Sequence, residues 1–551
     1  MNERQAHAVQ PRGTRLELTW PGKDQFLLSP KDDTGKPVWV ERDHPAASEV
    51  HLTDFTGSIG DVDDSNPYAD NLLFTGDSLD VLRVLAEAPE YRRAYRGKVK
   101  LVYIDPPFNT GQAFDHYDDW MEHSTWLSFM RDRLLLIKEI LAPDGSVWVH
   151  LDDAEQHRMR CLMDEIFGAQ NFVATVVWQK RYSRDNRPAI GAVHDYIMVY
   201  AKAAPAWKRV RNRLPRREAK EYRNPNDDPR GPWRVIPMTA QGFRPNQMYP
   251  ITTPAGNVHF PSKGRCWSTI ESRFEQLRAD GRIYFGKDGS AQPGIIRYFA
   301  EDEGLVPWTW WPHEETGHTD EAKKEILTLF SDQAAFDTPK PERLMERIVL
   351  IASNSDDIVL DCFGGSGTTA AVAHKMGRRW VTSEILPETV ETFTQSRLEM
   401  VVKGGDEGGI TKAVAWSGGG GFRSVTVAPS MYEVTPFGVM LADWATNGKF
   451  SRAVAGQLGF EWQPDATPFC GVRGRMRLAV FDGAVGSEEI RQTVAALGEK
   501  ERVTVVAKVV LPGAEELLGE LSKGSRIRKA PRDLLTTGAK RARRRIEGAN
   551  Q

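Results

Sequence analysis

Cysteine is scarce in this 551-residue sequence, which contains four cysteines and no CxxC pair. Scattered thiols without metal-ligand spacing argue against a disulfide scaffold and a zinc site, and they favour a reducing, cytoplasmic location. No segment approaches the roughly 18 consecutive apolar residues that a membrane-spanning helix needs, so we expect no membrane partner. The first residues also lack the apolar core of a secretory signal.

A charge excess of either sign is also absent, since 72 Lys and Arg stand against 75 Asp and Glu for a formal net charge of −3. Balanced charge does not exclude nucleic acid as a partner, because binding depends on where the positive charge is concentrated. With 40% hydrophobic and 27% charged residues, the composition is typical of a globular protein with more than one domain.

Short apolar runs alternate with amphipathic segments in two separate stretches. We predict strands at 71–75, 99–104, 357–362 and 379–382, and helices at 78–87, 342–352 and 367–376. This alternation is typical of an α/β fold with a doubly wound, mostly parallel, Rossmann-like sheet. The sequence is therefore divided into an N-terminal extension (1–70), a first α/β half (71–205), an inserted Pro-, Gly-, Arg- and Trp-rich module (206–335), a second α/β half (336–410), and a C-terminal α+β region with a basic tail (411–551).

A glycine-rich loop follows the predicted strand at 357–362 and reads Asp361-Cys-Phe-Gly-Gly-Ser-Gly-Thr-Thr369. Closely spaced glycines let the backbone approach a ligand and turn into a helix whose N-terminus offers free N–H groups. Glu384 ends the next strand, where an acidic side chain can bind ribose hydroxyls. A P-loop is disfavoured because no Lys follows the glycines, and the dinucleotide-binding pattern GxGxxG is not matched. For the loop alone, the alternative is an ordinary tight turn between a strand and a helix.

A second motif, Asp105-Pro-Pro-Phe108, lies at the end of the predicted strand at 99–104, where open α/β sheets bind their ligands. An acidic acceptor, a carbonyl fixed by proline and a flat aromatic ring suit a planar base with an exocyclic amine. The alternative for this tetrapeptide alone is a proline-rich strand end with a helix-capping Asp.

Together, the two motifs resemble those of the permuted (β-class) S-adenosylmethionine-dependent amino-methyltransferases of DNA. Asp105–Phe108 matches the family's D/N/S-PP-Y/F/W motif, and Phe363–Thr369 matches its FxGxG cofactor loop. Gly76–Leu79 matches the acidic motif before the catalytic strand, and Thr338–Arg343 resembles the segment that leads into the cofactor half. Five further segments carry a closer likeness: Phe108–Gly111, Ser124–Leu127, Met163–Gly168, His194–Tyr196 and Asn224–Trp233. Through them, the sequence over about 71–425 more closely resembles the modification subunits of type III restriction–modification systems, with Phe108 where Tyr is commoner.

The resemblance implies site-specific transfer of a methyl group from S-adenosylmethionine to adenine N6 in duplex DNA after base flipping. It assigns catalysis to 71–205, target recognition to 206–335 and cofactor binding to 336–410. The implied catalytic residues are Asp105, Pro106, Pro107 and Phe108. The implied cofactor-binding residues are Asp77, Asp361, Phe363, Gly364, Gly365, Gly367, Thr368, Glu384 and Lys340, with Thr338 as a further candidate. Double-stranded DNA, a second copy of the chain, and a restriction or other phage-defence subunit are the implied partners.

The chemistry needs an activated amine, because the lone pair of adenine N6 is delocalised into the ring. Asp105 can accept one N–H and the Pro106 carbonyl the other, while Phe108 stacks on the flipped base. The sulfonium methyl is already activated, so this chemistry requires no metal and no covalent nucleophile. Cytosine C5 methylation is disfavoured because its nucleophilic Cys typically follows a proline, and none of the four cysteines does.

Other functions stay open at this point. Cytosine-N4 methyltransferases usually carry Ser in place of Asp105, and enzymes that methylate glutamine usually carry Asn there. RNA is an alternative substrate for the same amine chemistry. A catalytically silent DNA-binding subunit of a defence complex is a further alternative, although both motifs are intact.

Two segments concentrate positive charge. Residues 207–223 carry eight basic residues. We assign six of them to phosphate contact: Lys208, Arg209, Arg211, Arg213, Arg216 and Arg217. The alternative for this segment is a solvated helix face. The tail at 523–545 carries ten basic residues and one acid. We predict that this tail contacts the DNA backbone, with a disordered end as the alternative.

Overall fold

The computed structural model describes residues 17–29, 36–110, 121–184, 189–215, 221–330, 336–435 and 438–549. The chain divides into two compact units: a larger one formed by Met1–Asn212 with Trp308–Gln551, and a smaller one formed by Arg213–Pro307. In the described ranges, no helix is both long and apolar enough to cross a membrane.

A ten-stranded sheet organises the larger unit. Its strands, labelled in chain order, are β1 (Thr53–Gly60), β2 (Asn71–Thr75), β3 (Val99–Ile104), β4 (Leu141–Leu151), β5 (Phe172–Gln179), β6 (His194–Ala201), β7 (Trp310–Trp311), β8 (Ile358–Asp361), β9 (Arg379–Glu384) and β10 (Gly421–Val427). Their spatial order is β7-β5-β6-β4-β3-β8-β9-β2-β10-β1.

The sheet is mostly parallel, since six of its nine neighbouring strand pairs in the described part of the chain are parallel. Every residue of β8 is buried, as are the last four of β3, so both faces of the centre are covered. The predicted α/β class with a mostly parallel sheet is confirmed. The longer helices of this part are Ser78–Glu87, Pro89–Tyr95, His123–Ile140, Gln156–Phe167, Ala204–Val210, Thr319–Leu329, Glu342–Ala352, Thr368–Lys375 and Gln395–Lys403.

The edge of the sheet extends beyond the predicted α/β halves. β1 comes from the predicted N-terminal extension, and β10 from the predicted C-terminal region. β10 runs parallel to β2 and antiparallel to β1. β1 is mostly exposed and polar, so it lacks the apolar pattern by which a buried strand is recognised in sequence.

The smaller unit is narrower than the predicted module at 206–335, because residues 206–212 and 308–335 fall in the larger unit. It contains a three-stranded antiparallel sheet of Trp233–Pro237, Gly294–Tyr298 and Ile283–Tyr284, and a helix at Glu271–Ala279. A small core surrounds the fully buried Trp267. Of its charged residues, 15 are Lys or Arg and 11 are Asp or Glu.

The C-terminal region, predicted as α+β, contains a mixed sheet whose first two neighbouring strand pairs are antiparallel and whose last two are parallel. Its five-stranded sheet alternates with helices, and its last three strands, Met476–Val485, Arg502–Val510 and Arg526–Lys529, are parallel. The helices are Asn447–Leu458, Ser487–Ala495, Ala514–Leu521 and Arg532–Ala549. This part of the chain is therefore a second α/β layer structure with its own buried clusters.

Candidate active site

The tetrapeptide Asp105–Phe108 directly follows β3, whose buried run ends where two prolines prevent further strand pairing. Asn109, the next residue, has a positive φ of 61°. Its amide donates to the fully buried Glu155 at 2.7 Å and accepts from the Met121 backbone at 2.7 Å. These bonds fix the turn that carries the motif.

Two cavities border the motif. The first, of about 310 Å³, is lined by Asp105, Pro106 and Phe108. The second, of about 320 Å³, is lined by Asp105 and Pro107. Asp105 thus lies on the boundary between two ligand-sized spaces.

The motif carries two acceptors that no described residue uses. Asp105 Oδ1 is buried and has no hydrogen-bond partner among the described residues. No donor in the described part of the chain reaches the Pro106 carbonyl either, whereas the Pro107 carbonyl accepts from Trp126 Nε1 at 2.8 Å. Because burying an unpaired acceptor is costly, this pair is suited to a ligand with two N–H groups.

The other carboxylate oxygen of Asp105 is occupied. Lys340 Nζ pairs with Asp105 Oδ2, and it lies 5.5 Å from the centroid of the Phe108 ring. Lys340 lines the first cavity rather than the second. The position of Lys340 therefore does not support the expectation that it binds the cofactor. Its ion pair makes Lys340 a partner of Asp105 instead.

Trp178, Lys180 and Asp195, which no sequence motif indicated, line the first cavity, and His150 lies behind its aromatic side chains. The Phe108 ring stacks on His150 at 5.9 Å, and the Trp178 ring meets His150 edge-on at 5.3 Å. Lys180 pairs with Asp195 at 2.6 Å, and both line the cavity with Trp178. Although burial opposes it, the His150 hydrogen bond and the Lys180 ammonium hold the pKa of Asp195 below its usual value.

The second cavity collects four of the expected cofactor residues: Asp77, Phe363, Gly365 and Glu384. Apolar side chains complete it, including Phe129, Phe336 and Leu386. Thr338 lines both cavities. Apolar walls with carboxylates at several points fit a flat heterocycle, a ribose and a positively charged sulfur.

The loop that borders this cavity needs its glycines. Gly365 and Gly367 have φ values of +49° and +76°, a region that side chains with a Cβ rarely adopt. A Cβ on Gly364 would lie 2.6 Å from Thr382 Oγ1 on the neighbouring strand. Gly365 reaches the cavity, while Gly364 and Gly367 shape the turn behind it.

Asp361 and Thr368 lie behind the loop and do not line the cavity. Asp361 accepts from the Thr369 hydroxyl at 2.6 Å and from the Phe363 backbone at 3.0 Å. Its complete burial raises its pKa to about 7. Thr368 accepts from Arg397 at 2.8 Å. Their positions indicate a supporting role for the loop.

The two acidic residues expected to hold the cofactor also organise backbone. Glu384 accepts from the backbone N–H groups of Gly365 at 3.0 Å and Ile385 at 2.9 Å. Asp77 caps the helix at Ser78–Glu87 and accepts two hydrogen bonds from Arg133, at 2.8 and 2.9 Å. Both carboxylates are thereby held at the cavity edge.

The predicted DNA-binding segment at 207–223 is split between the two units. In the larger unit, Lys208 and Arg209 are exposed and Arg211 is half-buried. In the smaller unit, Arg213 pairs with Glu303 at 2.8 Å. Arg216 and Arg217 lie outside the described residues.

The basic tail at 523–545 contains the strand Arg526–Lys529 and most of the helix Arg532–Ala549, so the alternative of a disordered end is wrong for the described residues of this tail. Arg545 pairs with Glu87 and Glu139 at 2.5 Å each, and Arg541 pairs with Glu87 at 3.1 Å. These two arginines are thus held by carboxylates of the larger unit.

The three tryptophans at 308–311 differ in burial, and Trp310 is 48% exposed. Trp311 is almost completely buried and belongs to β7. Trp308, by contrast, is 68% exposed.

Comparison with known proteins gives a consistent assignment. The model of a family described as DNA methylase matches residues 99–395. The type III restriction-modification enzyme StyLTI Mod subunit of Salmonella typhimurium is 36% identical over 337 residues, which cover 55% of this chain and 50% of that protein. The type II methyltransferase M.EcaI of Enterobacter cloacae is 29% identical over 385 residues, which cover 68% of this chain and 76% of that protein.

Among solved structures, the chain is similar to the PvuII DNA methyltransferase (cytosine-N4-specific) at 15% sequence identity and a TM-score of 0.33. The match covers 62% of this chain and 90% of that one. The chain spans about half the length of the Mod subunit that it matches.

Proposed function

Since this chain belongs to the DNA methylase family, we propose that it transfers a methyl group from S-adenosylmethionine to the N6 amine of adenine in duplex DNA. The observation that carries the proposal is a pair of acceptors that no described residue uses, Asp105 Oδ1 and the Pro106 carbonyl, at the meeting point of two cavities. An exocyclic amine has two N–H groups and so matches this pair.

The first cavity is the proposed site of the flipped base. Phe108, backed by His150 and Trp178, offers a flat face on which a base extruded from the duplex can stack. Asp105 Oδ1 and the Pro106 carbonyl accept the two N–H groups, which draws the nitrogen toward tetrahedral geometry. Lys340 pairs with the other oxygen of Asp105 and so holds the carboxylate in position beside the amine.

The second cavity is the proposed site of the cofactor. When bound there, S-adenosylmethionine supplies an activated methyl group on a sulfonium. Gly365 lets the ligand approach the loop, Phe363 contacts its methionine end, Glu384 binds the ribose and Asp77 the adenine amine. Asp105 borders both cavities, so it lies beside the amine that must release a proton after the methyl group is transferred.

Adenine is favoured over cytosine because Asp stands at the first position of the motif, where enzymes acting on cytosine N4 usually carry Ser. Cytosine N4 is the second candidate, since its amine also offers two N–H groups to the same acceptors.

We further propose that the smaller unit, Arg213–Pro307, contributes target recognition. Its excess of basic residues supports contact with phosphates, and the exposed Lys208 and Arg209 extend this positive charge along the chain. Action within a restriction–modification or related defence system, pairing with a second copy or a restriction subunit, and a cytoplasmic location are the remaining parts of this proposal.

The test is to incubate the purified chain with labelled S-adenosylmethionine and plasmid DNA, with RNA and with protein as separate acceptors. We expect label in DNA alone. Label in RNA or protein but not DNA would contradict the proposed substrate, and cofactor binding without transfer to any acceptor would favour the catalytically silent alternative.

A further inference from the structure

A second charged cavity, of about 390 Å³, lies in the larger unit away from the candidate active site. Arg92 and Arg96 lie in the segment just before β3, and Glu139 lies two residues before β4. The cavity therefore borders the amino ends of strands whose carboxyl ends carry the active-site motif. At roughly 3.3 Å per residue, six-residue β3 separates these edges by about 20 Å.

Arginine dominates the lining of this cavity. Six arginines face two glutamates, which leaves an excess of positive charge: Arg92, Arg96, Arg473, Arg541, Arg544 and Arg545 against Glu87 and Glu139. We call this space the arginine cavity.

Both glutamates are already shared among arginines. Glu87 pairs with Arg541 and Arg545, and Glu139 pairs with Arg96 and Arg545. Since each carboxylate serves two guanidinium groups, neither is free to neutralise the rest of the lining.

Three arginines of the lining, Arg92, Arg473 and Arg544, form no ion pair with any described carboxylate. Within the described residues, Arg473 donates only to the Leu458 carbonyl, at 2.7 Å, and its guanidinium lies 4.4 Å from the Phe460 ring centroid. Such groups retain donors for a ligand.

The arrangement is electrostatically unfavourable without a counter-charge. Burial and the neighbouring guanidinium groups, with Arg526 and Arg528 the largest contributors, lower the pKa of Arg473 below its usual value. Arg541 Nε is buried and has no hydrogen-bond partner among the described residues. A folded chain that holds like charges together in this way gains stability from an anion that separates them.

Phosphate groups match this lining better than single carboxylates do. The planar guanidinium donates two parallel hydrogen bonds to phosphate oxygens, and linked phosphates bring several negative charges into a small volume. We propose that the arginine cavity binds closely spaced phosphates, supplied either by a free nucleoside polyphosphate or by adjacent phosphates of a nucleic-acid backbone. This proposal does not depend on methyl transfer.

The test measures binding of inorganic tripolyphosphate to the full chain by calorimetry. A variant with the three unpaired arginines changed, Arg92→Ala, Arg473→Ala and Arg544→Ala, should bind about 10- to 100-fold more weakly, because charge-assisted hydrogen bonds are lost. The matched control removes the same charge from exposed residues of the C-terminal helix outside the cavity, Arg532→Ala, Lys540→Ala and Arg543→Ala, and should bind like wild type.

Two further arms separate the sources of phosphate. If the cavity variant loses affinity for ATP but keeps wild-type affinity for a random duplex, a free nucleotide is the source of the phosphates. Loss of duplex affinity together with competition between duplex and tripolyphosphate would identify the nucleic-acid backbone.

The proposal is overturned if wild type does not bind tripolyphosphate at millimolar concentration, or if the cavity variant and the control variant bind it equally. Unchanged thermal unfolding of the cavity variant checks that it folds. A triple Arg→Lys variant, which keeps the charge, should recover part of the lost affinity.

Discussion

Replacing Asp105 should separate methyl transfer from cofactor binding. Asp105→Ala removes the buried Oδ1 acceptor, and Asp105→Asn is expected to replace it with a donor. In the Asn variant the amide oxygen is expected to turn toward Lys340, which leaves the NH₂ group facing the target amine. Both changes therefore remove the same acceptor by different routes.

The size of the effect follows from the surroundings of that oxygen. The Asp105 side chain is 21% exposed, and Oδ1 itself is buried. A hydrogen bond that strengthens in the transition state of such a water-poor site is worth about 2.7–4 kcal/mol, or about 10²–10³ in rate. The second cavity is lined mainly by other residues, so affinity for S-adenosylhomocysteine should change little.

Single-turnover transfer from labelled S-adenosylmethionine to duplex DNA measures the rate, and calorimetry with S-adenosylhomocysteine measures cofactor binding. Lys340→Met is the matched control, because it removes the ion pair but leaves the Oδ1 acceptor, and it should lose less activity than Asp105→Ala. Rates within a few-fold of wild type in both folded Asp105 variants would refute the role of this carboxylate.

Three further outcomes are expected. Gly365→Val should abolish binding of S-adenosylhomocysteine, because φ is +49° and the new Cβ would lie 3.3 Å from the Phe336 ring; unchanged affinity in a folded variant would move the cofactor site elsewhere. The contribution of Asp361 to the free energy of unfolding should fall as pH rises from about 4 to 7, since burial raises its pKa to about 7 and the buried carboxyl is favoured when protonated. The thermal stability of Asp361→Asn relative to wild type should therefore rise over this range, and a difference that does not change with pH would exclude Asp361 as a source of pH dependence. A triple variant with alanine at Arg209, Arg211 and Arg213 should bind cognate and random duplexes more weakly and with a shallower salt dependence. Wild-type affinity of this variant at two salt concentrations would mean that the segment at 207–223 is only a solvated face.

Local sequence patterns were sufficient to predict the centre of the sheet. The buried runs at 99–104 and 358–361 end at prolines and glycines, which stop strands and mark turns, so both motifs could be placed at carboxyl ends from the sequence. The helix predicted at 78–87 begins and ends at those residues because Asp77 caps it and its apolar residues recur at helical spacing.

Contacts between distant residues could not be predicted in this way. Lys340 pairs with Asp105 across 235 residues of sequence, and neither residue carries a local signal for the other. The aromatic wall of the first cavity depends on Trp178 and His150, which lie on different strands and are brought together only by strand order. Sheet topology, rather than periodicity, determines these neighbours.

The edge strand β1 and the ion pairs of the basic tail could not be predicted from the sequence, for a different physical reason. β1 is exposed and polar, so it pairs through its backbone and leaves no apolar pattern in the sequence. In the basic tail, charge alone suggested DNA contact, yet Glu87 and Glu139 hold Arg545 in the folded chain. A run of like charge does not reveal where its counter-charges lie.

The position of the transferred methyl group tests the central claim most directly. Plasmid DNA modified by the chain with labelled S-adenosylmethionine would be digested to nucleosides and separated by chromatography with mass detection. The label is expected in N6-methyl-2′-deoxyadenosine, and it should disappear with Asp105→Ala. Label in N4-methyl-2′-deoxycytidine would contradict adenine as the target, and undiminished label with Asp105→Ala would contradict the catalytic site itself.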